Sequence, residues 1–128
     1  MGYEANKIMR RVIPPRLLDS HKSLESIGFT GYAWCSKEVI TVLDILLNNR
    51  VPILGGDVIS NVGGTLKSTF DSWSINPDDF SSLEDFLIVS HQKTKEYINA
   101  YIQRNGDDFI FSIVIYALPI GRSANHSA

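Results

Sequence analysis

The segment 51–59, Val-Pro-Ile-Leu-Gly-Gly-Asp-Val-Ile, constrains the fold of this chain more than any other. Pro52 has a fixed φ angle and disfavours helical geometry at the residue before it, so the segment is predicted to begin as a strand. Gly55 and Gly56 remove two side chains where the backbone must take a positive φ or let a neighbouring group come close. Asp57 follows directly. We therefore predict a strand built around a close contact, with one carboxylate beside it.

Two helical patterns precede this strand. Apolar residues within 39–47 recur three and four positions apart, which places them on one face of a helix. We predict that the side-chain oxygen of Ser36 caps this helix and that Arg50 lies at its C-terminal end, where a positive charge is favourable. A shorter helix is predicted within residues 16–27. It should stop at Gly28, because glycine takes the left-handed conformation that ends helices.

The segment after the strand predicts a loop, a second strand and a turn. Residues 61–68 are rich in asparagine, glycine and serine, so we expect a loop there. Residues 70–75 alternate in the way that a short strand does. Asn76-Pro77 then favours a turn.

A helical pattern covers residues 82–103 but is interrupted in its middle. Ser81 and Glu84 have the spacing of a capping box, which predicts a helix start near Ser82. Polar residues separate the apolar positions of the two halves. The sequence is compatible with one helix or two, and we expect two, with a break near residues 89–91.

Residues 109–118 are almost wholly apolar and rich in strand-forming residues, which is typical of a central strand buried on both faces. The elements together predict an α+β fold. We expect a single small domain over residues 1–128, with helices packed on a mixed sheet of about three to five strands. Residues 1–15 fit either a short helix or an edge strand, and the polar residues 120–128 are expected to form a frayed tail.

The composition of the chain argues against a membrane-spanning or secreted protein. No segment approaches the roughly 20 apolar residues of a membrane span, and residues 1–7 lack the apolar core of a signal peptide. The single cysteine, Cys35, excludes a disulfide within the chain and fits a reducing compartment. These observations predict a cytoplasmic protein with no membrane partner.

The charges are segregated along the chain. Residues 51–90 contain one basic and six acidic residues, whereas residues 1–50 contain seven basic and five acidic ones. Phosphates require lysine and arginine, so the acidic middle third argues against nucleic-acid binding there. It is compatible with a basic protein partner, and also with solvated loops and helix N-termini.

The familiar catalytic and binding motifs are missing from the sequence. A phosphate-binding loop needs glycine directly before Lys67-Ser68, but Leu66 stands there. The histidines and the cysteine lack the paired spacing of metal ligands, so neither a metal nor a cofactor is predicted. Cys35 and His91 could form a nucleophile and base, but a buried cysteine beside an aromatic residue is the favoured interpretation.

Asp57 and Asp71 offer one candidate catalytic pair. If the two carboxylates faced one another across neighbouring strands, they could perform acid–base chemistry. We favour a structural role, in which Asp57 accepts hydrogen bonds from backbone N–H groups of its own turn or from the indole of Trp73. No catalytic residue is predicted.

The order of these features resembles one family. Trp34, an amphipathic helix, the hexapeptide Ile53–Val58 and Trp73 occur in the order found in immunity protein family forty of bacterial polymorphic toxin systems. Ser90 and the helix carrying Tyr97 and Tyr101, followed by an apolar strand, are also similar. The resemblance implies a non-enzymatic inhibitor that binds a cognate toxin domain. It also implies that the residues carrying it form the frame of the fold: Gly55, Gly56, Asp57, Trp34 and Trp73.

We therefore predict an immunity protein of a contact-dependent or polymorphic toxin system, which occludes the active site of its toxin sterically and electrostatically. The toxin could be a basic nuclease, which acidic residues would attract. A small enzyme using Asp57 and Asp71, or a self-associating scaffold domain, are the alternatives, and a homo-oligomer is left open. The candidate toxin-binding residues are Asp71, Asp78, Asp79, Phe80, Glu84 and Asp85.

Overall fold

The computed structural model of the protein describes residues 2–28 and 31–117. The helices are α1 (Gly2–Val12), α2 (Pro15–Ser20), α3 (Ser36–Asn48) and α4 (Leu83–Asn105). The strands are β1 (Ala33–Cys35), β2 (Ile53–Val62), β3 (Thr65–Ser74), β4 (Phe109–Ser112) and β5 (Val114–Ile115). Single 3-10 turns occupy Glu25–Ile27 and Pro77–Asp79. The predicted tail at residues 120–128 lies outside the described residues.

The five strands form one sheet in the order β1-β4-β2-β3, with β5 also paired to β2. The α+β class, the strand number and the helices packed on the sheet are as predicted. Every pair is antiparallel, where a mixed sheet was expected. The reason is that β1 and β2 run in the same direction but are separated by β4, which is antiparallel to both.

The larger core lies between one face of the sheet and the helices. Trp34 of β1, Phe111 of β4 and Val58 of β2 lie side by side on this face, because Trp34 and Val58 are both register partners of Phe111. All four helices contribute to the core. Their buried apolar residues include Ile8, Met9, Leu17, Val39, Val42, Leu43, Leu46 and Ile98, and Ile13 between α1 and α2 joins them. Residues 1–15, which the sequence left open, thus contribute a helix to the core.

A smaller core lies on the other face of the sheet. The alternation of side chains along the strands directs Ala33, Ile59 and Ile110 to this face, where they pack with Leu24. Leu24 belongs to the short segment between α2 and β1, and Ile27 adds to the cluster. The segment covers part of this face, so the sheet is buried on both sides around β4, as predicted for a central strand.

The predicted loop at residues 61–68 is wrong. β2 and β3 form a long hairpin in which Val62 pairs with Thr65, so only Gly63 and Gly64 are left for the turn. Both have positive φ, 60° and 85°, as the tight hairpin turn that matches strand twist requires. The polar residues expected in a loop lie instead on the exposed surface of an edge hairpin.

The predicted break in the second half of the chain is also wrong. α4 runs without interruption from Leu83 to Asn105. Ser90 is buried within it: its Oγ donates to the carbonyl of Leu87 and accepts from the backbone N–H of Ile53 in β2. The polar residues in the middle of the helix therefore bind the sheet and do not end the helix.

Several element ends differ from the sequence prediction. Ser82, and not Ser81, caps α4 by accepting from the N–H of Asp85 at 3.0 Å. Ser36 is the first residue of α3, and its hydroxyl donates a hydrogen bond to the carboxylate of Asp107 instead of capping the helix. The predicted helix at residues 16–27 divides into α2 and a 3-10 turn, although it stops as expected at Gly28, with φ 79°. The apolar strand at residues 109–118 divides into β4 and β5 at Ile113.

Candidate functional site

The two glycines of β2 lie in close backbone contacts. Gly55 has φ +150° and lies against the backbone of Trp73 and Ser74 in β3. A Cβ on Gly56 would overlap the carbonyl oxygen of Ser112 and would lie 2.9 Å from a ring carbon of Trp73. The expectation of a positive φ or a close neighbour is confirmed at both positions. Larger side chains here would push β3 or β4 away from β2.

The two tryptophans are held by hydrogen bonds to different helical segments. Trp73 stacks on Tyr97 with ring centroids 4.9 Å apart, and its Nε1 donates to Oγ1 of Thr94 at 3.0 Å. Trp34 is fully buried, and its Nε1 donates to the carbonyl of Leu17 at 2.7 Å. Each indole thus joins a strand to a helix. The expected hydrogen bond from Trp73 to Asp57 does not form, because the indole N–H of Trp73 donates to Thr94 instead.

Asp57 is half-buried and weakly bonded. Its backbone N–H donates to Oγ of Ser112 at 2.9 Å. Its carboxylate accepts from the same hydroxyl at 3.5 Å, and within the described part of the chain it has no other hydrogen bond and no ion pair. The prediction that the Asp57 carboxylate accepts hydrogen bonds from backbone N–H groups of its own turn is therefore wrong. The carboxylate keeps most of its accepting capacity free.

The candidate catalytic pair does not assemble. Asp71 accepts from the hydroxyl of Tyr101 at 2.8 Å, on the helix side of the sheet. Asp57 contacts Ser112, which the alternation along β4 places on the opposite side from Phe111 and α4. Burial, and then the hydrogen bond to Asp71, raise the pKa of Tyr101, so the phenol remains a donor. The two carboxylates face different surfaces.

The candidate toxin-binding residues divide into two places. Asp78 and Asp79 are exposed in the second 3-10 turn, and Glu84 and Asp85 are exposed in the first turn of α4. Asp71 lies next to Tyr101, which is 16 residues beyond Asp85 on α4, or about 24 Å along the helix. Asp71 is thus separate from the acidic turn, the name used below for Asp78, Asp79, Glu84 and Asp85.

Two residues of this region have contacts that the sequence did not predict. Phe80, expected to be an exposed aromatic, is half-buried, with its ring centroid 5.6 Å from that of Phe86. Glu84 forms an exposed ion pair with Arg50, which lies two residues after the end of α3 and has φ 60°. Asp78 and Asp79 have no ion pair among the described residues.

Two adjoining clefts open beside Asp57. The first, of about 170 Å³, is lined by Asp57 and Val114 with residues of α1 and β4 and with Tyr32: Ala5, Asn6, Met9, Ser112 and Ile113. The second, of about 240 Å³, is lined by Asp57 and Val114 with Leu54, Gly55 and Gly56 of β2 and with consecutive residues of β3: Ser72, Trp73 and Ser74. Asp57 and Val114 thus form the ridge between them. Sequence reasoning missed these clefts, because they depend on the pairing of distant strands.

Phe70 is a second feature that sequence reasoning missed. The register of β2 and β3 shifts between Asp57 and Ile59, where four steps along β3 oppose two steps along β2. Phe70 lies in this bulge with φ 65°, and it is 92% exposed. A bulky residue in the left-handed region is uncommon and strained. The hydroxyl of Thr69 stabilises the bulge by donating to the carbonyl of Val58 at 2.7 Å.

The remaining titratable residues form no catalytic or metal centre. No group of three potential metal ligands occurs among the described residues. Cys35 packs beside the smaller core, whereas His91 is buried in α4 and its Nε2 donates to the carbonyl of Val51 at 2.8 Å. The two residues do not meet. None of the helices within residues 2–28 and 31–117 is long and apolar enough to span a membrane.

The geometry defines a small α+β domain with exposed carboxylates and clefts and without an assembled catalytic group in its described part. A family model described as immunity protein 40 matches residues 23–115, well over half of the chain, and the protein belongs to this family. The resemblance noted from the sequence is thereby confirmed. No curated protein and no solved structure matches the chain.

Membership settles the general class of activity. Members of the family are immunity proteins of polymorphic toxin systems, which inhibit toxins without being enzymes. The prediction that the protein is not an enzyme is confirmed on this ground, and the family implies a cognate toxin as partner. Trp34 and Trp73 and both glycines lie within the matched residues, whereas α1 and α2 lie before them.

Proposed function

We propose that the protein neutralises its cognate toxin by binding over the active site, so that substrate is excluded sterically. The family supports the toxin as partner, and direct occlusion needs no chemistry from the inhibitor. A standard interface of about 800 Å² on each partner would cover a disc roughly 30 Å across. We propose that this binding takes place in the cytoplasm, in keeping with the single cysteine.

The observation that supports an electrostatic contribution is the acidic turn. Asp78 and Asp79 are exposed, carry two adjacent negative charges and have no cation beside them in the described part of the chain. A toxin that cleaves nucleic acid is basic around its active site, because it must hold phosphates. Carboxylates at those positions would replace the phosphates and steer the encounter of the two proteins. The toxin proposed is thus a basic nuclease.

The proposal is tested with the cognate toxin domain. The variant D78K/D79K/E84K should associate at least about tenfold more slowly than the wild type at low salt, and the difference should shrink at high salt as the charges are screened. Association rates would be measured by stopped-flow fluorescence at both salt concentrations.

A matched control separates the surface from the net charge. The variant D19K/E25K/E96K makes the same change in total charge with three acids that are also exposed but lie outside the acidic turn. It should associate nearly as fast as the wild type. Equal rates for the two triple variants would refute the acidic turn as the contact surface, and failure of the wild type to bind would refute the toxin assignment itself.

Self-association is an alternative that the sequence left open. The long hairpin strand β3 is at the edge of the sheet, and edge strands are common sites of pairing between chains. Sedimentation of the free protein and of the complex with the toxin would give the number of copies in each.

A further inference from the structure

The carboxylate of Asp57 is half-buried but has almost no hydrogen-bond donor beside it. Apart from the hydroxyl of Ser112 at 3.5 Å, no donor within the described chain bonds it. The ion pairs of Arg50 with Glu84 and of Lys95 with Asp44 do not involve Asp57. Burying part of a charge without a partner costs free energy. A carboxylate kept in this state at the ridge of two clefts is placed to receive a cation from outside.

The lining of the clefts fits a long cationic side chain. Apolar side chains, including Met9, Ile113 and Val114, line the first cleft, and Val114 is 46% exposed on the ridge. Such walls pack against the methylene groups of arginine or lysine while the charged end reaches a polar group. Ser72, Ser74 and Gly55 are among the residues that line the second cleft, so polar side chains and backbone lie beside the carboxylate.

We propose that the Asp57 cleft, meaning the two clefts and the ridge between them, binds an arginine side chain of the cognate toxin. A guanidinium presents two parallel N–H donors, which match the two oxygens of a carboxylate and make the pair both strong and directional. The inference rests on the proposed function in one respect, namely that the partner is a toxin domain. It assigns Asp57 a contact role in place of the structural role expected from the sequence.

The Asp57 cleft and the acidic turn are close along the chain. Ser74 lines the cleft and precedes Asp78 by four residues, which a fully extended chain spans in about 14 Å. One interface of standard size therefore covers both. The acidic turn would attract a basic toxin from a distance, and Asp57 would fix one of its arginines in the final complex.

A metal ion is the competing ligand for a lone carboxylate. A hard cation takes six or more oxygen ligands, usually with several carboxylates among them. No group of three potential ligand residues exists in the described part of the chain, and Asp57 has no second carboxylate beside it. A side-chain cation, which brings its own donors and needs only one carboxylate, fits these surroundings better.

The first test does not depend on the toxin. Nα-acetyl-L-arginine amide would be titrated into the full chain and followed by amide chemical shifts, with the neutral citrulline analogue as the ligand control. We expect saturable shifts in the millimolar range around residues 55–57, 112 and 114, with none from the citrulline analogue. The variant D57N should lose the response and D71N should keep it. Shifts that are absent, or unchanged in D57N, would overturn the proposal.

The second test uses the toxin domain. D57N should weaken the equilibrium affinity by about tenfold or more, the size expected for a charge-assisted hydrogen bond, whereas D19N, at an exposed acid outside the cleft and the acidic turn, should leave it within about threefold. Melting temperatures of both variants would show that the fold is kept. If the wild type binds and D57N binds equally well, the arginine site is refuted while the toxin function stands. If the wild type does not bind, the proposed toxin function is refuted. The arginine titration then still shows whether the Asp57 cleft binds a guanidinium group.

Discussion

At the scale of single residues, the buried polar side chains of α4 determine how the helix meets the sheet. Ser90 and His91 both bond the segment that enters β2, through the N–H of Ile53 and the carbonyl of Val51. The hydroxyl of Thr94 accepts a hydrogen bond from the indole N–H of Trp73. Each of these polar groups would be costly to bury without its partner. The middle of the helix is therefore polar in sequence and yet interior.

His91 makes the stability of the fold depend on pH. It is 3% exposed, and burial lowers its pKa below the ordinary value of 6.5. The hydrogen bond to Val51 opposes this shift in pKa, Lys95 adds to it, and Asp44 opposes it. The unfolded chain therefore binds a proton at a pH where the folded chain does not. Stability should fall as pH decreases through about 6.5, by up to about 1.4 kcal/mol per pH unit from this group.

Urea unfolding would measure this dependence of stability on pH. The pH would be varied from about 7.5 to about 5.5, which is roughly one unit on each side of the ordinary histidine pKa. H91Q is the matched variant, because glutamine keeps an N–H donor for the carbonyl of Val51 but does not titrate. Its free energy of unfolding should vary less with pH than that of the wild type. An identical dependence in both proteins would contradict the role of His91.

At the scale of elements, the bulge in β3 stores strain at Phe70. The side chain is 92% exposed, so removing it costs almost no buried surface, and its φ of 65° is one that glycine takes freely. We expect F70G to raise the free energy of unfolding by about 0.5–1 kcal/mol. Chemical denaturation at constant pH would measure the difference.

Ser72 supplies the control for this change in the same strand. It is exposed, and it is not among the residues with positive φ. S72G should therefore lower stability by about 0.5–1 kcal/mol, because glycine loses more conformational freedom in an extended strand. A loss of stability in F70G equal to that in S72G would show that the left-handed conformation is not strained.

At the scale of the whole molecule, α1 and α2 complete the core although they precede the matched segment 23–115. Leu17 of α2 is 2% exposed, and its carbonyl accepts from Trp34 of β1. We expect L17A to lower the free energy of unfolding by about 2–5 kcal/mol, because it leaves a cavity at the centre of the domain. Urea unfolding would measure it.

I88A is the matched control for this prediction, since Ile88 is an aliphatic residue of α4 that is 43% exposed. Its cost should stay below about 1 kcal/mol, because little apolar surface is removed from the core. If L17A were as mild as I88A, the first two helices would be peripheral to the fold.

Features that depend on neighbours in sequence could be predicted. Helix α3 followed from the spacing of its apolar residues, and the stop at Gly28 followed from the need for a left-handed residue there. The contacts at Gly55 and Gly56 followed from the absence of two side chains in a strand. The hexapeptide around them indicated the family that the match over residues 23–115 confirms.

Features that depend on pairing between distant segments were decided by the tertiary structure alone. Polar residues near Ser90 predicted the end of a helix, because a sequence does not show that the N–H of Ile53 will be there to bond them. Asp57 and Asp71 lie on opposite faces because Asp57 pairs with Ser72, so the adjacent Asp71 points to the other face and reaches Tyr101. The sequence by itself thus determined the elements with strong local patterns and the family. The tertiary structure decided which polar groups are satisfied internally, and therefore which, like Asp57, are left to bind a partner.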